Sequence, residues 1–205
     1  MARWYLVRHG ETAWNVEERI QGQSDIPLHE LGRSEAASAG RSLTDTPFVA
    51  AYTSDLGRSE ETARIILEAQ AGPTPELSTT PLLREVSYGV FEGMTWAEIR
   101  EADPRMRDRE FVHDLDFAPD DGESFRQLLA RVGGFANDLS AQHVSEDILV
   151  VGHGGSLRAL AVRILGLPDE AFWKLRGLRN ASISVVQQDG HSPSLVAWNG
   201  TAHLT

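Results

Sequence analysis

Trp4-Tyr5-Leu6-Val7-Arg8-His9-Gly10 and Ile148-Leu149-Val150-Val151-Gly152-His153-Gly154-Gly155 are the two stretches on which the reading of this chain turns. Each is a short apolar run closed by a histidine and released on glycine. Such runs read as buried strands. Each imidazole is therefore delivered to the carboxyl end of a strand, the edge at which open α/β sheets bind ligands. Two histidines brought there by separate strands can face one another across a pocket. Gly154 and Gly155, ahead of a helix expected from Leu157, can offer backbone N–H donors to an anion. One such histidine alone is more often a half-buried side chain closing its strand, and it is the pairing that points to a site. His29, His113, His143, His191 and His203 have only local polar settings and read as surface or structural.

Working outward, apolar and β-branched runs predict strands over residues 3–7, 49–53, 147–151, 181–186 and 194–198, the third fully buried. Helices are predicted between them. Residues 31–43 put Ala36, Ala39 and Leu43 on one face, and residues 58–69 do the same with Thr62, Ala63, Ile66 and Leu67. The clearest helix covers 124–143, where Phe125, Leu128, Leu129, Val132, Phe135, Ala136 and Leu139 keep the 3.6-residue period. Ser124 and Gln127 spell a capping box at its start. Residues 157–165 are apolar almost all round, as in a helix packed on a sheet. This alternation predicts an α/β layer architecture with a largely parallel sheet. Residues 102–121, with Pro104, Pro119 and many charges, are irregular. They read as an excursion over one sheet edge, a candidate lid rather than a domain boundary.

With 205 residues, the chain can bury about 70% of its unfolded surface as one domain spanning 1–205. It has no cysteine, which removes disulfides, thiolate metal sites and a cysteine nucleophile. The first apolar run is too short for a signal sequence. The longest uninterrupted apolar stretches fall far below the roughly 20 residues of a membrane span, so a cytoplasmic location is expected. A net charge of −11 argues against nucleic acid or an anionic membrane as partner. It leaves room for a small anion, because a few buried arginines can make a local positive pocket. Arg8 adjoins His9, and Arg58 opens a helix just after the strand at 49–53. Guanidinium suits phosphate as a planar, bidentate donor, although Lys174 is the only lysine and the arginine count is partly compositional.

At this point the residues fall into blocks. Leu6-Val7-Arg8-His9-Gly10-Glu11-Thr12 with Asn15 resembles the signature of the histidine phosphatase superfamily, the phosphoglycerate mutase-like proteins. Gln21-Gly22 with Asp25, Pro27-Leu28 and Leu31-Gly32 resembles that family's second block. Thr53-Ser54-Asp55-Leu56-Gly57-Arg58 with Glu61-Thr62-Ala63 resembles the third. Leu83-Arg84-Glu85 with Gly89 and Phe91-Glu92-Gly93 resembles the acid-bearing block, and Val151-Gly152-His153-Gly154-Gly155 the last; residues 199–204 resemble a common tail. Three letters such as Arg-His-Gly carry little weight, whereas five blocks in the family's order leave chance little room.

The resemblance implies a three-layer α/β fold with a mixed, mainly parallel six-stranded sheet and helices on both faces. It implies His9 as nucleophile, with Arg8, Arg58 and His153 on the three phosphoryl oxygens. Asn15 would hydrogen-bond the phosphoryl group, Gln21, Gly22 and Gly154 would complete the substrate site, and Glu85 would be the proton donor. Ser59, where the family usually has alanine, is a mild departure. No metal and no cofactor is implied. The partner is a small phosphorylated metabolite, and a homodimer is compatible with the reading.

Elementary chemistry agrees with those roles. Imidazole attacks only when neutral, as it largely is at pH 7. Charge on the equatorial oxygens must be met by fixed donors, a task for Arg8, Arg58 and a protonated His153. An alkoxide leaves poorly without a proton, and for Glu85 to supply it, burial or the dianionic substrate must raise its pKa. The expected activity is hydrolysis of small phosphate monoesters through phosphohistidine, by a metal-independent phosphomonoesterase. The mutase branch that the resemblance also includes carries a longer insertion after the acid, whereas here about thirty residues separate Gly93 from Ser124. Two alternatives stay beside it: mutase-type phosphoryl transfer, and a non-catalytic phosphate-binding member. A histidine-metal hydrolase fits poorly, since no His-Glu-x-x-His spacing occurs. Which monoester is the substrate is not legible; Gln21, Tyr88, Trp96 and the excursion are the candidate specificity residues.

Overall fold

The computed structural model describes residues 2–108, 113–188 and 193–204. Six strands form one sheet: β1 (Ala2–Arg8), β2 (Ala50–Ser54), β3 (Leu77–Thr80), β4 (Asp147–Gly152), β5 (Ile183–Gln188) and β6 (Ser194–Gly200). Their order is β3-β2-β4-β1-β5-β6. The first four are mutually parallel, β5 runs antiparallel to β1, and β6 antiparallel to β5. The expected mixed, mainly parallel α/β sheet is the one observed.

The described helices are α1 (Ala13–Val16), α2 (Glu30–Ser42), α3 (Gly57–Glu68), α4 (Trp96–Ala102), α5 (Phe125–Gln142) and α6 (Gly154–Ile164). Successive side chains of a strand point to opposite faces, and the two central strands show what that does here. Trp4 and Leu6 of β1, with Ile148 and Val150 of β4, pack under α5 and α6 through Leu128, Val132, Leu157 and Leu160. Tyr5 and Val7, with Leu149 and Val151, pack on the other face against Ala39 of α2 and Ala63 and Ile66 of α3. Burial on both faces explains why residues 4–7 of β1 and 148–151 of β4 are apolar in succession instead of alternating.

Three of these elements escaped the pattern reading, the first of them α1, a single turn. β3, Leu-Ser-Thr-Thr, has four residues, lies at the sheet edge and is bounded by Pro75 and Pro81. α4 is announced only by its capping box, Thr95 with Glu98. Ile99 of α4 joins Phe91 and Met106 in a small third apolar cluster, which ties the start of the 102–121 excursion to the body. Residues 109–112 of that excursion, and His191, lie outside the described residues. Among the described residues no helix is long and apolar enough to cross a membrane.

Candidate active site

The parallel register of β1 and β4 sets Arg8 opposite Gly152, so the next residue on each strand is a histidine. The His9 N–H donates to Gly152 O at 2.9 Å. The two rings lie with centroids 5.1 Å apart at 57°, and His9 is 3% and His153 0% exposed. His9 Nδ1 is 2.7 Å from Gly10 O. A carbonyl can only accept, so Nδ1 holds the proton and Nε2 keeps its lone pair. His153 Nε2 is 2.6 Å from Ser54 Oγ, at the end of β2, and its Nδ1 has no partner.

Burial, followed by the nearby Arg58 and other charges, pushes both histidines well below the ordinary imidazole range. A neutral His9 is what nucleophilic attack needs. For His153 burial, and after it the nearby Arg58, oppose the protonated ring expected in the phosphoryl complex, where the charge of the substrate would weigh against them. A consequence for stability follows. The unfolded chain protonates these rings below about pH 6.5 while the native state resists it, so stability falls as pH drops through that value, by ~1.4 kcal/mol per pH unit and ring. Unfolding monitored between pH 7 and 5 should show this slope, and saturating phosphate should flatten it. Equal stability at pH 7 and 5 would mean that the rings titrate normally.

Arg8 and Arg58 have no carboxylate within ion-pair distance among the described residues, unlike Arg84 with Asp55, Arg131 with Glu123 or Arg163 with Asp169. Arg58 is 1% exposed. It donates to Ser24 O at 2.6 Å and Gly22 O at 2.7 Å, and burial brings its pKa down to about 10. Arg8 donates to Leu178 O at 2.5 Å, and burial lowers its pKa as well. The Nε of each is buried without a partner. A guanidinium withdrawn from water with no ion-pair partner carries a desolvation cost, which a bound anion offsets.

The carbonyls that hold Arg58 are themselves fixed by Glu92. Its carboxylate accepts from the N–H groups of Gln23, Ser24 and Tyr88 and from Ser24 Oγ. Gly22 has φ +53°, and a Cβ there would run into Glu92 Oε1; only glycine lets this loop close on the carboxylate.

Glu85 is docked on the start of α6, accepting from Gly155 N–H at 2.9 Å and Ser156 N–H at 3.2 Å. The helix-terminal donors expected to meet a substrate anion are thus taken by the protein's own carboxylate. Gly155 permits this, since a Cβ at that position would collide with Glu85 Oε1. Gly154 lies beside Glu85 and Arg8 and is not among the residues that line the cleft. The Glu85 carboxylate accepts from the N–H groups of Val86, Gly155 and Ser156, all donors, so a proton carried by this acid would have to face a ligand in the cleft.

The cleft, of about 460 Å³, is lined by Arg8, His9, Asn15, Gln21, Gly22, Arg58 and Glu85, together with Tyr88 and Trp96. None of the described residues of 103–121 lines it. Asn15 Oδ1 accepts from Thr12 N–H, Thr12 Oγ1 and Asn180 Nδ2, which turns its NH₂ away from these donors and leaves it free to donate. Asn180 also donates to His9 O at 3.1 Å and Gly10 O at 3.3 Å. Ser54, Asn180 and Glu92 were not singled out from sequence; the first and last lay in recognised blocks without a role, and Asn180 in none. Among the described residues no group of three or more His, Asp or Glu could hold a metal ion.

A family model described as histidine phosphatase superfamily (branch 1) matches residues 4–201. A metal-independent phosphoserine phosphatase of Arabidopsis thaliana is 36% identical over 98% of this chain and 82% of its own length. A 2,3-bisphosphoglycerate-dependent phosphoglycerate mutase of Bartonella henselae is 37% identical over 80% of this chain and 82% of its own. The structure of a mycobacterial glucosyl-3-phosphoglycerate phosphatase superposes with a TM-score of 0.87 at 32% identity, over 97% of this chain and 99% of that one.

Proposed function

The chain belongs to the histidine phosphatase superfamily, and on that premise we propose that it hydrolyses small phosphate monoesters with His9 as the group that carries the phosphoryl. The observation that bears this reading is a neutral imidazole with its Nδ1 proton fixed on Gly10 O, beside the buried guanidinium of Arg58 and the half-buried one of Arg8, each with its Nε unpartnered. Such a pocket takes an oxyanion and presents it to a nucleophile.

Arg8 and Arg58 meet two phosphoryl oxygens through their unpartnered Nε–H and remaining N–H groups, and Asn15 donates its amide. His153 can donate while neutral. With the Ser54 hydroxyl donating a hydrogen bond to the Nε2 lone pair, the ring proton stands on Nδ1, the atom without a partner. His9 Nε2 then attacks phosphorus as the ester bond breaks on the opposite side, and Glu85 passes its proton to the departing alcohol oxygen. In the second half, Glu85 takes a proton from water as that water attacks the phosphohistidine. Phosphate leaves and the neutral imidazole is restored.

A mutase must keep water from the phosphohistidine. That the described excursion residues do not line the cleft supports hydrolysis instead. The fixed cations can do the neutralising work that a magnesium ion would otherwise do, and the Arabidopsis relative is named as metal-independent. Phosphate release from a panel of small monoesters should continue at an unchanged rate in a strong chelator. Activity that vanishes there and returns with Mg²⁺, Mn²⁺ or Zn²⁺ would falsify the metal-independent assignment.

A further inference from the structure

Beyond the phosphoryl clamp, the outer half of the cleft has a polarity of its own. Arg19 is the further cation lining it, and its charge is already answered: it pairs with Glu17 at 2.9 Å and Glu98 at 3.2 Å and donates to Gly93 O at 2.7 Å. Its neighbour Glu18 also lines the cleft. Unlike Glu17, Glu18 appears in none of the ion pairs or side-chain hydrogen bonds among the described residues. It is held at φ +55°, a left-handed conformation that costs a non-glycine residue about 1 kcal/mol or more and that tends to persist where function uses it.

Two further polar ends are unmatched. Gln21 is 8% exposed, and its Oε1 is buried without a hydrogen-bond partner. The Tyr88 ring lines the cleft too, and burial beside Glu85 keeps its phenol un-ionised. Trp14 and Trp96 line the same cleft, the former with its ring edge near Gly93.

A carboxylate on the leaving alcohol would find no unanswered cation here and would face Glu18. A hydroxyl, by contrast, can both donate and accept, and so satisfies a carboxylate, an amide and a phenol alike. Carbon-bound faces of a ring or polyol chain suit the two indoles. We propose that the leaving alcohol is uncharged and hydroxyl-rich, a sugar or polyol, and that Glu18 selects against monoesters bearing a carboxylate beside the ester. This sets the chain apart from relatives whose names specify phosphoserine or a phosphoglycerate. The inference rests on the phosphatase reading above.

A matched pair tests it: glycerol 3-phosphate and 3-phosphoglycerate differ by a hydroxymethyl group in place of a carboxylate. In the wild type kcat/KM should favour glycerol 3-phosphate by about tenfold or more, the size of one mismatched charge in a specificity pocket. Taking the ratio within each enzyme cancels whatever a substitution does to the shared phosphoryl clamp. Glu18→Arg should bring the ratio to near one or invert it, and Glu18→Gln, the milder change, should lower it part of the way. A wild-type ratio at or below one overturns the proposal, and so does a ratio that neither variant moves. Phosphocholine outrunning glycerol 3-phosphate by a similar factor would show that Glu18 reads positive charge, and would overturn the polyol assignment. p-Nitrophenyl phosphate, run in parallel, separates the two levels. Turnover of it with the wrong ratio sinks only the specificity, whereas no turnover of any ester sinks the phosphatase reading and the specificity with it.

Discussion

His9→Ala is expected to leave less than about a thousandth of wild-type kcat, a barrier increase of at least ~4 kcal/mol. The size follows from what the side chain does. Without Nε2 there is no acceptor for the phosphoryl group, and the remaining route is direct attack by water in a pocket whose donors are arranged around an imidazole. The covalent species gives a second readout. Wild-type protein quenched rapidly with a labelled monoester should carry label that is lost in acid and kept in base, and the variant should carry none. A third readout separates chemistry from binding. Arg8 and Arg58 are held by the carbonyls of Leu178, Ser24 and Gly22, none of which depends on the His9 side chain. The variant should therefore still bind inorganic phosphate with an affinity within about tenfold of wild type. Retention of more than a thousandth of kcat, or label on the variant, would move the nucleophile elsewhere.

The parts of this site that could be read in the sequence are those that each strand carries to its own end. A four-residue apolar run, one further residue and then histidine and glycine predict where a side chain emerges, and β1 and β4 deliver His9 and His153 as those runs require. Helix limits came within a few residues, 31–43 against Glu30–Ser42 and 124–143 against Phe125–Gln142, because the apolar period is long in both. Periodicity fails where the element is short. β3 offers only four residues and no clean alternation, and α1 is a single turn. The supporting contacts left no trace of a different kind. Ser54 and His153 meet across 99 positions, and Asn180 and Asn15 across 165; a hydrogen bond between distant elements imposes no local pattern on either. The low proton affinity of His153 left no trace in the sequence for a related reason. It comes from complete burial together with Arg58, His9 and Arg8 at once, and only coordinates bring those groups together. The family blocks supplied roles for Glu85 and Arg58 that spacing alone could not, but not the fact that Glu85 rests on the helix terminus that the glycines were expected to offer to substrate.

That resting place makes Glu85→Gln the most informative substitution after His9→Ala. Glutamine keeps the length of the side chain, and its carbonyl oxygen can still accept from Val86 and Ser156 N–H while its NH₂ opposes Gly155 N–H, a cost that falls equally on every ester and cancels in the comparison between them. What it cannot do is hand a proton to the departing oxygen. The cost depends on the leaving group. An alkyl phosphate releases a strongly basic alkoxide, so loss of the acid should lower kcat/KM by about 10²–10⁴-fold, the usual worth of general acid catalysis. p-Nitrophenyl phosphate releases a phenolate that leaves unaided, and its kcat/KM should fall far less. The comparison belongs to kcat/KM or to the burst, because both substrates pass through the same phosphohistidine and Glu85 also serves as base in its hydrolysis. In kcat the two esters should converge, since that shared second step becomes limiting for both. Equal losses in kcat/KM for the alkyl and the aryl ester would show that Glu85 acts through its charge or its packing against α6, and the proton donor would then have to be found among other groups that reach the cleft, with Tyr88, un-ionised and beside Glu85, the first to be replaced.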